Sequence, residues 1–186
     1  MEGIDRAAVL RAKAGDREAF REIVESHSRH VFGLAFRMMG NEEDAEDVVQ
    51  ETFLKAYRGL ARFEGSSEVS TWLHRIAANC AVDVLRRRKG GLSESAGSDD
   101  TDLLPDARSG PEAAALGSEI DRRLQASLGR LSAMERAAFT LRHFEGRSIG
   151  EIAGVLGVRA GAAKNCVFRA VAKLREDLGP VRTAAR

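Results

Sequence analysis

Trp72, Arg75 and Asn79 form the first group of side chains whose types and spacing suggest a specific chemistry. They stand at i, i+3 and i+7, so a helix would place them on one stripe. An aromatic ring, a cation and an amide on one face suit unpaired nucleic-acid bases, because bases stack on aromatic rings and offer their edges to hydrogen bonds. The alternative is that Trp72 belongs to the core, and the sequence leaves both interpretations open.

A basic run, RRRK at residues 86–89, follows a few residues later. Cations at the end of a helix complement its dipole, and charged runs are usually solvated. Four cations in succession exceed that need. The helix dipole therefore does not account for the whole run.

An acidic segment, NEEDAEDVVQETF at residues 41–53, has six acidic residues in its first eleven positions. The helix dipole accounts for the acids of the first turn. It does not account for Glu46, Asp47 and Glu51, because like charges at i,i+4 cost about 0.2–0.5 kcal/mol per pair. A helix that accepts this repulsion is expected to face a cationic protein surface rather than DNA.

The C-terminal part of the chain contains SIGEIAGVLGVRAGAAKNCVFRAVAKL, which has the form of a helix-turn-helix. Gly157 permits the turn, and the outer face of the second helix offers Lys164, Asn165 and Arg169. Such side chains can neutralise phosphates or reach base edges in the major groove. The alternative is a small three-helix bundle with a solvated basic face.

The elements that position these groups are all expected to be helices. Apolar residues recur at helical spacing through residues 5–38, 41–60 and 71–89, and again from Ile120 onwards. Asp16 and Asn41 are expected N-caps, and Gly40 is an expected helix stop. The helix over residues 41–60 is expected to bury Ala45, Val49, Phe53, Ala56 and Leu60. Strand signals are nearly absent, so the fold class is predicted to be all-α.

The charge layout divides the chain into blocks. Residues 1–90 hold 15 basic and 15 acidic side chains, residues 91–121 hold one against eight, and residues 122–186 hold 13 against five. This pattern predicts two small domains at 1–90 and 119–180, an acidic linker at 91–118 and a short tail at 181–186. The basic excess of the second domain favours a polyanionic partner.

Several function classes are excluded by missing motifs. The chain has no P-loop, HExxH, nucleophile elbow or glycine-rich dinucleotide motif, so we expect no enzyme activity and no cofactor. Cys80 and Cys166 stand alone, without further ligands at metal-binding spacing, and are expected to be free thiols. No apolar run is long enough to span a bilayer, and the charged N-terminus lacks a signal-peptide core. We expect a cytoplasmic protein without membrane insertion.

Three segments together resemble the extracytoplasmic-function (ECF) sigma factors of bacterial RNA polymerase, which belong to group 4 of the sigma-70 family. They are DAEDVVQETFLKAY, STWLHRIAANCAVDVLRRRK and SIGEIAGVLGVRAGAAKNCVFRA, in that order and at that spacing. The resemblance covers roughly residues 5–178. It implies a sigma region 2 bundle and a region 4 helix-turn-helix joined by a flexible acidic linker. It also implies a non-catalytic subunit that binds core polymerase and directs promoter-specific initiation.

The resemblance further implies a role for individual residues. The polymerase clamp coiled coil would be contacted by Asp44, Glu46, Asp47, Gln50, Glu51 and Phe53. The melted −10 element would be read by Trp72, Arg75 and Asn79, and the nearby phosphates would be held by Arg86, Arg87, Arg88 and Lys89. The duplex −35 element would be bound by Ser148, Arg159, Ala162, Ala163, Lys164, Asn165 and Arg169. The acidic linker would follow the basic RNA path of the polymerase. The implied partners are core polymerase, including its flap, promoter DNA and an anti-sigma factor, with nucleoid association in the holoenzyme.

Two features depart from the family pattern. The recognition helix starts Gly-Ala-Ala-Lys-Asn-Cys at residues 161–166, where the family often has Gly-Thr-Val-Lys-Ser-Arg, and Val69 stands where an aromatic residue is common. The base preferences of relatives therefore do not transfer to this chain. A stand-alone helix-turn-helix regulator, dimeric on a palindrome, is the remaining alternative. This alternative does not explain the acidic segment at residues 41–53.

Overall fold

The computed structural model describes residues 2–65, 68–91 and 123–179 of the 186-residue chain. Within these ranges the secondary structure is helical with no strand, which confirms the predicted all-α class. The chain divides between Gly90 and Gly91 into two compact units, here called the first and second units. The expected linker at 91–118, apart from Gly91, and the tail at 181–186 lie outside the described residues.

The first unit is built from four helices. Their bounds are α1 Glu2–Lys13, α2 Arg17–Met39, α3 Glu42–Gly59 and α4 Val69–Gly91, with a 3-10 turn at Leu60–Arg62 after α3. Helix α4 begins two residues earlier than the sequence pattern suggests. Val69 is buried there, so the start of the helix is fixed by packing as well as by hydrogen bonds.

The predicted caps of α2 and α3 are confirmed. The Asp16 carboxylate accepts hydrogen bonds from the backbone N–H groups of Glu18 and Ala19, and the Asn41 side chain accepts one from that of Asp44. Gly40 ends α2 with a φ of 81°, in the left-handed region that glycine enters without steric cost. These caps satisfy backbone donors that a helix end otherwise leaves unpaired.

The core of the first unit lies between α2, α3 and α4. Its largest fully buried side chains are Ile23, Leu34, Met38, Val48, Thr52, Leu73 and Val31. The expectation that Val49 lies in this core is wrong, because Val49 is only half-buried while Val48 is fully buried. Val48 stands at i+3 from the buried Ala45 and continues its row more directly. The helical spacing of α4 also predicts burial of Ile76, Val84 and Leu85, but these three side chains are half-buried.

The second unit contains the predicted helix-turn-helix. Residues 123–130 form α5, followed by α6 Ala133–His143, α7 Ile149–Leu156 and α8 Ala160–Leu178. Gly157 ends α7 with a φ of 64° and donates its N–H to the carbonyl of Ala153, which confirms its place in the turn. Helix α8 packs on α5 through a buried cluster of Leu128, Leu131, Ala170 and Leu174, and the partly buried Phe139 of α6 packs against the same cluster.

Among the residues that the structure describes, none of the helices has both the length and the apolar character that a membrane span needs.

Candidate protein-docking and nucleic-acid surfaces

The outward face of α3 carries the acidic residues expected to bind a protein. Glu46, Asp47 and Gln50 are exposed, because Ala45, Val48 and Thr52 turn the opposite face of the helix into the core. Glu51 is half-buried, and one of its carboxylate oxygens lies 3.4 Å from the Lys55 amine. We call the exposed surface of α3 formed by Glu46, Asp47, Gln50, Leu54 and Tyr57 the α3 ridge.

The α3 ridge extends beyond the residues predicted from the sequence. Leu54 is 44% exposed and Tyr57 is 51% exposed, and they follow Gln50 at i+4 and i+7. The edge of the Tyr57 ring packs against Phe20 of α2, with centroids 5.0 Å apart. The ridge is therefore acidic at its N-terminal end and apolar at its C-terminal end. The signal was present in the sequence, since both residues fall outside the apolar stripe of the helix.

Phe53 does not belong to the exposed surface, which corrects its predicted role as a direct polymerase contact. Its side chain is 8% exposed, among the buried residues of the first unit. Beside it, the Thr52 hydroxyl donates a hydrogen bond to the Val48 carbonyl over 2.6 Å, inside the core. Phe53 can only support the α3 ridge from beneath.

Asp44 and Arg88 form a salt bridge, although they were predicted for two different surfaces. The Asp44 side chain is 13% exposed and also accepts a hydrogen bond from the Asn41 amide, so it is held inside the first unit. The Arg88 side chain stays half exposed. The acidic start of α3 is thus joined to the basic end of α4, and Asp44 is not freely available to a partner.

A groove runs between α3 and α4, and it is lined by residues predicted for polymerase binding and by residues predicted for DNA binding. Asp47, Gln50 and Glu51 line one wall, and the other wall carries Arg86, Arg87 and Arg88. Cys80 lies in the floor, where burial raises the pKa of its thiol and keeps it protonated near neutral pH. The side chain of Lys89 lies outside the described part of the structure. The acidic and basic sets therefore face each other across one groove.

Trp72 is a core residue, as the alternative interpretation proposed. It is 9% exposed and lies against the ring of Phe63, with centroids 4.7 Å apart. The ring nevertheless forms part of a cleft of about 270 Å³, lined by Lys55, Gly59, Arg62, Phe63, Trp72, Ile76 and Asn79. The structure brings Trp72 and Asn79 together in this cleft. It leaves Arg75 exposed and outside it.

Lys55 and Arg62 are cleft residues that the sequence patterns did not indicate. They come from α3 and from the 3-10 turn after it, whereas the expected residues all belong to α4. Local spacing cannot show which helix lies beside which. Only the packing of α3 against α4 brings these two cations to the cleft.

The outer face of α8 carries most of the residues predicted for duplex binding. Arg159, Ala162, Lys164, Asn165 and Arg169 are all exposed. Ala163 is fully buried, so its predicted direct contact with DNA is wrong: its small side chain instead lets α8 pack closely on the rest of the unit. Phe168, which the sequence analysis did not single out, is 73% exposed on the outer face.

The start of α8 is open to an anion. Arg159 occupies the N-cap position without a side-chain capping hydrogen bond, and the first turn contains no acidic residue. Unpaired backbone N–H groups and the positive end of the helix dipole favour phosphate at such a terminus. Lys164 and Arg169, both cationic, follow this first turn further along α8.

Ser148 uses its hydroxyl within the fold. It caps α7, accepting a hydrogen bond from the Glu151 N–H at 3.2 Å and donating one to a Glu151 carboxylate oxygen at 2.7 Å. These bonds from Ser148, helped by Arg147, lower the pKa of the Glu151 carboxyl to about 2. Ser148 is exposed, and its predicted role in binding DNA stays a prediction beside this capping role.

Lys173 anchors α8. Its amine lies 2.7 Å from a carboxylate oxygen of Glu135 on α6, whose side chain is 7% exposed. Burial raises the pKa of Glu135, but Lys173 and Ser132 outweigh it and the pKa is lowered overall. Lys173 therefore stabilises the packing of α8 on α6. The outward cations of α8 are Lys164 and Arg169.

Two family models match the chain in order. Sigma-70 region 2 covers residues 23–90 and Sigma-70 region 4 covers residues 121–174, one in each unit. The RNA polymerase sigma-H factor of Pseudomonas aeruginosa is 36% identical over 184 residues, which is 95% of each chain. The ECF sigma factor SigW of Bacillus subtilis is 30% identical, over 96% of this chain and 98% of that one. The chain belongs to the ECF sigma factors.

Solved structures agree with this family. CnrH, solved with the cytosolic domain of CnrY, matches 94% of this sigma factor and 97% of its own chain, with 29% identity and a TM-score of 0.64. RpoE of Bartonella quintana, solved with the anti-sigma factor NepR, matches 88% and 98%, with 25% identity and a TM-score of 0.67. This sigma factor accordingly directs promoter-specific initiation by RNA polymerase. Sigma factors are in general non-catalytic initiation factors.

Proposed function

We propose that the first unit binds core polymerase through the α3 ridge and reads melted −10 DNA through the Trp72 cleft, while the second unit binds the −35 duplex through α8. This proposal assigns to the first unit the roles expected of residues 1–90 and to the second unit those expected of residues 119–180. The proposal rests chiefly on one contrast. An exposed acidic ridge and an exposed basic helix occur in one chain, in the units that match sigma regions 2 and 4.

The α3 ridge fits a partner that is both cationic and apolar. Glu46, Asp47 and Gln50 offer carboxylates and an amide, and Leu54 and Tyr57 offer apolar area beside them. Interfaces combine such an apolar patch with charges that select and orient the partner. A basic coiled coil of the polymerase clamp has these properties. Phe53 and Asp44 would stabilise the ridge without touching the partner.

The Trp72 cleft suits a single extruded base. Its volume of about 270 Å³ is below the range of roughly 300–1,000 Å³ that pockets for drug-sized ligands occupy. Trp72 and Phe63 offer flat apolar surface, Asn79 offers an amide to the base edge, and Lys55 and Arg62 offer charge to the phosphates. The arginines at the end of α4 would hold the neighbouring backbone, with Arg88 already oriented by Asp44.

Helix α8 suits the major groove of duplex DNA. Its first turn is free of acidic residues, and its outward cations, Lys164 and Arg169, are exposed. A helix that enters the groove by its N-terminal end brings such residues to base edges and phosphates. The exposed Arg159 at the N-cap would add a phosphate contact.

Further partners follow from the family. An anti-sigma factor is proposed because RpoE of Bartonella quintana was solved with one. The polymerase flap is proposed as the partner of the second unit on the enzyme. The protein would act in the bacterial cytoplasm, at the nucleoid when in the holoenzyme, without catalysis, cofactor or membrane insertion of its own.

The direct test is to assemble the full chain with bacterial core polymerase and to transcribe a promoter library. A stoichiometric complex that starts RNA at a defined subset of promoters is the expected result. A dimer that binds duplex DNA alone, with no polymerase complex, would contradict the proposal. A Glu25→Lys variant, altered on an exposed position of α2, serves as the matched control for general charge effects.

A further inference from the structure

Two outward side chains of α8 are not explained by attraction to phosphates. Asn165 is exposed and uncharged, and Phe168 is 73% exposed, more than any other large apolar side chain in the described part of the chain. Exposure of an aromatic ring to water is unfavourable, and the ring carries no positive charge that would attract phosphate. Its position on the outer face of a recognition helix would bring it to the base edges of the major groove, where an apolar side chain finds an apolar contact.

The two residues are neighbours on the helix surface. They stand at i and i+3, a spacing that brings Cβ atoms to about 5–6 Å of each other. The inner face is fixed by the buried Ala163 and Ala170, so Asn165 and Phe168 point away from the unit. They lie within the first nine residues of α8, the end that a recognition helix directs at bases.

Each side chain has a preferred match among the base edges of the major groove. An asparagine amide pairs with adenine, accepting from N6 and donating to N7. An apolar side chain such as phenylalanine contacts the 5-methyl group of thymine. The rise between neighbouring base pairs is smaller than the distance between the Cβ atoms of two residues at i and i+3. The two side chains can therefore reach base pairs that lie close together in the same site.

We propose that Asn165 reads an adenine and Phe168 reads a thymine methyl in nearby base pairs of the upstream promoter element. The proposal rests on the −35 role proposed for α8 and deepens it. The family pattern often has serine at the position of Asn165. A serine hydroxyl bonds to several bases, whereas asparagine selects adenine, so this chain should have an upstream preference of its own.

The experiment begins with holoenzyme made from the full chain and core polymerase. Selection from promoters with a randomised upstream region gives the preferred −35 sequence, and binding is then measured with modified bases. Replacing the selected adenine by 7-deazaadenine removes N7, and replacing the thymine by uracil removes only the methyl group. Each replacement should weaken binding about three- to tenfold with the unaltered protein.

The variants connect each base to its side chain. In Asn165→Ala the 7-deazaadenine effect should disappear while the uracil effect remains, and in Phe168→Ala the reverse should hold. Phe168→Leu, which keeps an apolar side chain, should retain part of the thymine preference. Glu176→Gln, an exposed change near the far end of α8, is the matched control and should leave both effects unchanged.

The results separate this inference from the role on which it rests. If the selection yields an upstream sequence and both variants keep every preference of the unaltered protein, the base assignments are overturned but the −35 role stands. The same holds if the Asn165 variant relaxes a position that is not adenine. If the holoenzyme selects no upstream sequence at all, the −35 role itself is overturned.

Discussion

The two units hold their candidate functional residues in different ways. In the first unit these residues are tied into the fold: Trp72 and Phe53 are buried, and Asp44 is paired with Arg88. In the second unit Lys164 and Arg169 are exposed on the outside of a helix that other residues anchor.

The difference fits the binding roles proposed for the two units. A cleft for a single base needs rigid flat walls, and packing in the core provides them. A helix that enters a preformed groove needs only a firm inner face and a free outer face. Substitutions in the first unit should therefore change stability and function together, whereas outward substitutions in α8 should change function alone.

The largest contrast is expected between two aromatic residues. Trp72→Ala removes a buried ring and should lower the free energy of unfolding of the first unit by about 3–5 kcal/mol. Phe168→Ala removes an exposed ring and should change the stability of the second unit by no more than about 0.5 kcal/mol. Urea denaturation of the full chain followed by circular dichroism measures both. Equal losses of stability would remove the distinction between the units.

A substitution of Asp47 tests whether the α3 ridge can be altered without loss of stability in the core beneath it. Asp47→Lys reverses a charge on an exposed position, so the fold should persist while affinity for core polymerase falls about a hundredfold or more. Gel filtration with core polymerase and a titration of labelled protein give the affinity. Normal holoenzyme assembly by this variant, with Glu25→Lys as its control, would show that the ridge is not the docking surface.

Each outward cation of α8 should contribute separately to the salt dependence of DNA binding. Lys164→Ala or Arg169→Ala should each reduce the slope of log affinity against log salt concentration by about one unit, because one fewer counterion is released. Holoenzyme binding to a −35 duplex at several salt concentrations measures the slope. Lys173→Ala should instead lower stability, since its amine pairs with the buried Glu135. An unchanged slope in both α8 variants would mean that another face of the unit meets DNA.

The smallest expected effect is the pH dependence of the α7 cap. The pKa of Glu151 is lowered to about 2 from an ordinary value of 4.5, so its contribution to stability is fully present above about pH 4.5 and is lost as pH falls through about 2. Ser148→Ala should return the pKa of Glu151 toward 4.5. Titration of the carboxyl groups by NMR checks this. The matched control is Ser132→Ala, which should raise the pKa of Glu135 and leave that of Glu151 unchanged. A Glu151 that titrates near 4.5 in the unaltered chain would contradict the capping geometry.

Local sequence signals were sufficient for the elements and for the recognition helix. Asp16, Asn41 and Gly157 act where their caps and turn were expected, because a cap or a turn depends on a few neighbouring residues. The outward position of Lys164 and Arg169 also followed from sequence, since helical periodicity fixes which side faces the core once the apolar stripe is known.

What only the tertiary structure decided concerns residues far apart in the chain. The pairing of Asp44 with Arg88, the arrival of Lys55 and Arg62 beside Trp72, and the burial of Ala163 all depend on which helices pack together. Periodicity within one helix gives the direction of a side chain but not what lies opposite it. The sequence by itself therefore determined the helices, their caps and the family, and the packing of α3 against α4 decided which residues share the cleft and the groove.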